Sequence, residues 1–146
     1  MTDILTIKNG RKVVNNGMNE EKVLLDEINL TIREGDFITV LGGNGAGKST
    51  LFNTIAGTLQ LSQGSISFKD QLITKDSEEK RARFLSRVFQ DPKMGTAPRM
   101  TVAENLLLAQ KRGQKRKFRL RNLKNQKEYF FRLCQEVGNG LEQHLD

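Results

Sequence analysis

Residues 42–50 read Gly-Gly-Asn-Gly-Ala-Gly-Lys-Ser-Thr, and their types and spacing fit the binding of a polyphosphate. Gly42, Gly47, Lys48 and Ser49 fall at the positions of the Walker A pattern, G-x-x-x-x-G-K-[ST]. Polyphosphate oxygens need several converging backbone N–H groups, which demands a tight loop poor in side chains. Glycine supplies the unusual φ values and the close approach. A helix opening at Lys48 would turn its positive end toward the anion. In this pattern Lys48 reaches the β- and γ-phosphates and the Ser49 hydroxyl ligates Mg²⁺.

Few other residues have the chemistry of a site. Cys134 is the single cysteine and His144 the single histidine. One cysteine excludes an internal disulfide framework and a Cys-rich zinc site, and it fits a reducing compartment. Phe130, Leu133, Cys134 and Val137 recur at helical spacing, so Cys134 is expected in a core. His144, near the C-terminus, is expected to be a solvated surface residue.

The elements that must hold the loop can be read from periodicity. Leu5 and Ile7 alternate with polar neighbours, as do Ile28, Leu30 and Ile32, so two half-buried strands are expected as an antiparallel layer. Glu34-Gly35-Asp36 reads as a turn. Phe37–Leu41 is apolar almost throughout and predicts a strand buried on both faces. A helix follows over 48–56, with Gly57 as its stop. Ser65–Phe68 predicts a short strand, Ser77 the cap of a helix reaching about Leu85, and Val88-Phe89 a short buried strand. Thr101 and Glu104 fit a capping box for a helix reaching about Gln110.

The 146 residues hold 24 Lys+Arg and 17 Asp+Glu, a net charge of +7. Nine of those cations lie within 111–127, which contains no acid. Without that segment 15 basic residues stand against 17 acidic ones, a net of −2. The protein is therefore near-neutral with one basic segment, which weakens a nucleic-acid reading built on overall charge. Phe118 is the only aromatic there, so a base-stacking platform is not expected. A solvated linker between two helices is the plain reading of 111–127. No apolar run approaches the roughly 18 residues that span a bilayer, and the N-terminus has no secretory signal pattern.

Taken together, Asn44–Thr50 within the loop, Val23–Gly35, Leu61–Ile66 and Arg87–Leu108 resemble the ATP-binding subunits of ABC transporters, in order and spacing. The resemblance covers essentially the whole chain and is least specific over 111–146. It implies an α/β fold of the P-loop NTPase class, ABC ATPase-like, with an antiparallel β layer at the N-terminus and the start of a helical subdomain. It implies an ATP-binding core over 1–98 and a partial helical subdomain over 99–146. The implied ligands are ATP, held by Gly42, Gly43, Asn44, Gly45, Ala46, Gly47, Lys48, Ser49 and Thr50, and Mg²⁺, held by Ser49 and Gln90. Gln90 matches the Q-loop glutamine, which in the family approaches the metal and the attacking water. Val14 matches the position where the family places an aromatic residue on adenine, so only an apolar contact is expected there.

Further expectations rest on the same resemblance. The implied activity is ATP hydrolysis coupled to solute transport. The implied partners are a transmembrane permease and a second ATP-binding subunit, with 111–127 facing the permease or an anionic membrane surface. The implied location is the cytoplasm, peripheral on the inner face of the cell membrane. The run from Val88 to Ala97 resembles subunits of importers for amino-acid-like solutes. The family's signature motif, Walker B aspartate, catalytic glutamate and switch histidine have no match in these residues. The chain thus reads as the truncated N-terminal part of such a subunit, with negligible turnover alone and with strands missing beside Phe37–Leu41. Two other classes were weighed. A P-loop GTPase would want an Asn-Lys-x-Asp motif, which is absent. A nucleic-acid module on 111–127 would show steep salt dependence.

Overall fold

The computed structural model describes residues 2–15, 20–112, 126–138 and 140–145. They pack as two compact units, Met1–Leu85 and Ser86–Asp146.

The first unit is built on an antiparallel sheet. β1 (Asp3–Asn15) and β2 (Glu21–Arg33) form a long pair, and β3 (Gln63–Phe68) and β4 (Gln71–Leu72) extend it in the order β2-β1-β3-β4. Ile7 lies opposite Leu30 on one side and Ile66 on the other. Leu5, Ile7, Ile66 and Ile73 form the buried centre, flanked by Ile28, Leu30 and Ile32 from β2. The alternation in the sequence therefore marks the face that is buried, and each such side chain contributes about 1.5–3 kcal/mol when fully removed from water. The β1–β2 pairing shifts register between Ile7 and Gly10. There Asn9 adopts φ 49°, and its N–H donates to Asn29 Oδ1 at 2.9 Å.

Helix α1 (Lys48–Ala56) lays Leu51 and Ile55 on this core. It ends where the sequence predicts, at Gly57 with φ 87°. Helix α2 (Glu78–Arg81) is one turn long, and the chain continues through hydrogen-bonded turns to Leu85. Phe84 from those turns stacks on Phe68 with ring centroids 4.1 Å apart.

The second unit is helical. A 3-10 turn (Pro92–Met94) precedes α3 (Val102–Gln110), and α4 (Lys127–Val137) precedes a second 3-10 turn (Leu141–His144). Thr101 and Glu104 form the expected capping box. Ala103, Leu107, Phe130, Cys134 and Leu145 make the core of this unit. Cys134 is buried and His144 exposed, as expected. Leu133 and Val137 are exposed rather than buried, so the apolar face of α4 is narrower than its spacing implies. The basic segment lies outside the described residues except for Lys111, Arg112, Gln126 and Lys127.

Two expected strands do not form. Phe37–Leu41 has no sheet partner among the described residues, and Phe37 is 95% and Leu41 87% exposed. Val88-Phe89 is likewise not a strand, and Val88 stands in solvent. The physical reason is shared. An isolated β segment gains no ladder hydrogen bonds and hides no side chain until neighbouring strands and a covering layer exist.

Candidate functional site

The candidate site is the loop between Leu41 and α1, and its conformation follows from its residues. Gly45 and Gly47 both have φ 83°, in the left-handed region that glycine adopts without strain. Gly47 also lies against β2. A Cβ there would stand 2.7 Å from the Leu24 carbonyl oxygen and 3.2 Å from Leu25 Cδ2. Only a residue without a side chain lets the loop close this tightly on the strand behind it.

Gly47 is the N-cap of α1, and no side chain caps the helix. Most helices place Ser, Thr, Asp or Asn there to satisfy the first N–H groups. Here the first helical bond along the chain runs from Leu51 N–H to the Gly47 carbonyl at 2.8 Å. The N–H groups of Lys48, Ser49 and Thr50 therefore have no acceptor within the helix. Those of Gly43, Asn44, Gly45 and Gly47 make no hydrogen bond among the described residues. Ala46 is the exception, donating to the Gly43 carbonyl at 3.3 Å. The first turn contains no acid. A row of free donors at the positive end of a helix, with a cation among them, is a cradle for an anion.

Lys48 closes the loop on itself. Its Nζ donates to the carbonyls of Gly42 at 2.6 Å and Gly43 at 2.7 Å. The ammonium is thus held over the loop by neutral oxygens rather than by a carboxylate, and an anion could recruit it without breaking an ion pair. The Ser49 hydroxyl is exposed and makes no hydrogen bond among the described residues. It is free to ligate a hard cation, and Mg²⁺ characteristically takes only one or two protein oxygens beside phosphate and water. The loop residues present thus fit a magnesium–polyphosphate.

The far end of α1 is held differently. Arg81 is completely buried, and its five guanidinium N–H groups meet five backbone carbonyls. Nη1 donates to Thr54 at 2.6 Å and Ile55 at 2.9 Å. Nη2 donates to Ile73 at 2.7 Å and Thr74 at 3.0 Å, and Nε donates to Asp76 at 3.1 Å. Burial pushes the Arg81 pKa below its ordinary value, and the Asp76 charge opposes that shift. Sequence reasoning missed this residue. Within Lys80-Arg81-Ala82-Arg83 nothing in residue type separates the buried arginine from its neighbours.

The remaining expected residues are placed as follows. Val14 is half-buried in β1, opposite Lys22 of β2. Beside it, Val13 N–H donates to Ser62 Oγ at 3.1 Å. Gln90 is exposed, immediately before the Asp91-capped turn at Pro92–Met94. It belongs to the second unit, whereas the loop and Val14 belong to the first.

A family model described as ABC transporter matches residues 25–144. A tyrosine transport ATP-binding protein of Clostridioides difficile is 39% identical over 145 residues, covering 98% of this chain and 57% of its own. A spermidine/putrescine import ATP-binding protein of Haemophilus ducreyi is 41% identical over 86 residues, covering 59% of this chain and 22% of its own. Among solved structures, a nucleotide-free ATP-binding cassette from an ABC transporter aligns with TM-score 0.72 and 25% identity, covering 99% of this chain and 58% of that one. The ADP conformation of an ATP-binding cassette of an ABC transporter aligns with TM-score 0.70 and 26% identity, covering 100% of this chain and 57% of that one. The 146 residues therefore span somewhat over half the length of the tyrosine transport relative and of both cassettes.

Proposed function

Because the chain belongs to the ABC transporter family, as an ATP-binding subunit with the P-loop fold of that family's cassettes, we propose that residues 42–50 bind Mg·ATP and that this binding energises solute transport across a membrane. The observation that carries the reading is the uncapped start of α1. Free N–H groups at Gly43, Asn44, Gly45, Gly47 and the first turn line the loop, and Lys48 rests on the loop's own carbonyls. No ion pair has to be broken for an anion to enter, only the bonds from Lys48 to two neutral carbonyls.

Each residue then has a distinct task. Gly45 and Gly47 give the loop its curvature. The N–H groups of the loop and first turn hold phosphate oxygens, and Lys48 leaves the Gly42 and Gly43 carbonyls to neutralise the outer phosphates. Ser49 would hold Mg²⁺ through its hydroxyl, and Gln90 would serve the metal and the attacking water. Magnesium, when bound, neutralises phosphate charge in phosphoryl transfer. Val14 offers the base an apolar edge without stacking. The partners we propose are a permease and a second copy of the subunit, with the chain on the inner face of a membrane. An amino-acid-like solute is supported by the importer-like run Val88–Ala97 and by the tyrosine transport relative.

The 146 residues supply the groups that position phosphates, and no match to the family's Walker B aspartate or general base. Binding without appreciable turnover is the expected behaviour of this chain by itself. The test is a calorimetric titration with ATP, with and without Mg²⁺, alongside a phosphate-release assay. Saturable, magnesium-dependent binding with turnover far below about 1 s⁻¹, the low end of enzyme rates, is expected. Absence of ATP binding would refute the proposal.

A further inference from the structure

We propose that Arg81 is a positioning residue for the phosphate loop, holding the C-terminal end of α1 so that its N-terminal donors stay aimed at the nucleotide. The inference rests on the nucleotide-binding reading above and assigns a role to a residue that touches no phosphate. Three observations carry it.

The first is the stoichiometry of the contact. Arg81 has five N–H donors, and all five meet carbonyl oxygens, none of them a side chain. Burying a guanidinium is unfavourable unless every donor is satisfied. The site meets that demand with backbone alone, so the geometry of the backbone fixes the side chain and the side chain fixes the backbone.

The second is where those carbonyls lie. Thr54 and Ile55 belong to the last turn of α1, where the Thr54 carbonyl also accepts from the Gly57 N–H at 3.3 Å. Ile73, Thr74 and Asp76 belong to the chain that follows β4. The arginine therefore pins the end of the helix to the turn beside the sheet. Its positive charge also sits at the negative end of the helix dipole.

The third is the shortness of the helix. α1 has nine residues and is about 13.5 Å long at 1.5 Å per residue. Its start is set by the close approach of Gly47 to the Leu24 carbonyl, and its end by Gly57 and Arg81. The fit at Gly57 is tight, since a Cβ there would stand 3.0 Å from both Arg81 Cδ and Nε. Leu51 and Ile55 seat the middle of the helix on the core, so a helix released at one end pivots about that contact, and the loop donors tilt with it. Displacements near 1 Å at a site can cost about 100-fold in function.

Two substitutions disturb the clamp by different routes. Arg81→Lys keeps the charge but offers three donors in place of a planar fork of five. Gly57→Ala keeps the arginine, crowds it, and strains the helix end that it holds, because Gly57 has φ 87° and a Cβ there would also meet Glu78 N at 3.0 Å. Ile66→Val serves as the control, because it loosens the core of the same unit by one methyl group while leaving in place the backbone bonds that join Ile66 to Ile73 and Thr74. Affinity for a fluorescent ADP is measured under conditions where circular dichroism shows each variant folded, together with amide exchange in the nucleotide-free chain. Both clamp variants are expected to bind about tenfold more weakly, a loss of about 1.4 kcal/mol, and to exchange faster at 51–57 than at 65–68. Ile66→Val is expected to melt earlier and to bind as the parent does. Parental affinity in a folded clamp variant would overturn the proposal, as would an equal loss of affinity in Ile66→Val. If Arg81→Lys fails to fold, Gly57→Ala decides. If the parent chain binds no nucleotide, the function proposed above fails, and unchanged exchange at 51–57 would then refute the clamp independently.

Discussion

Gly47 joins two requirements in one residue, a left-handed φ of 83° and an approach that leaves no room for a Cβ beside the Leu24 carbonyl. Gly47→Ala is expected to destabilise the chain by about 1–3 kcal/mol, the range for a residue forced into such a conformation. It should also weaken nucleotide binding, because the loop must lift from β2. Thermal melts with parallel binding curves check both effects. Lys48 was readable from its place in the motif, but its resting contacts were not. Two carbonyls of its own loop hold it at 2.6 and 2.7 Å, an arrangement that depends on loop closure rather than on residue type. Arg81 was not readable at all. A guanidinium that ends in the core looks in sequence like the exposed Lys80 and Arg83 beside it, because its partners are carbonyls 5 to 27 positions away.

Among the elements, those whose stability is local were the most legible. α1 begins and ends at glycines that are visible in the sequence. α3 begins at a capping box in which Thr101 Oγ1 accepts from Glu104 N–H and Glu104 Oε2 accepts from Thr101 N–H. Thr101→Ala is expected to cost about 1 kcal/mol, the usual loss of an N-cap side chain, and to lower the melting temperature without affecting nucleotide binding. The alternating strands were legible because both layers they pair with lie within the chain. Phe37–Leu41 and Val88-Phe89 carry the same kind of apolar signal and form no strand. Their signal reports what such a segment needs, not what it finds, and a strand is completed only by its neighbours.

Across the whole molecule, charge and apolar surface point to different behaviours. The net charge of +7 should favour solubility, yet nine of the cations are gathered in 111–127. Phe37, Leu41 and Val88 each leave more than four-fifths of their surface in solvent. Large exposed apolar groups on a segment with unpaired backbone favour self-association. Concentration-dependent association is expected in light scattering, with Phe37→Ser reducing it and leaving the melting temperature unchanged. Unchanged association in that variant would assign the effect to another surface. No helix among the described residues is long and apolar enough to cross a membrane. Phosphate binding at the uncapped loop and helix start is read out by amide exchange with and without Mg·ATP. Slowed exchange at 43–51 is expected in the parent chain and disappears in Lys48→Ala. Unchanged exchange there, or slowing confined to the basic segment 111–127, would contradict it.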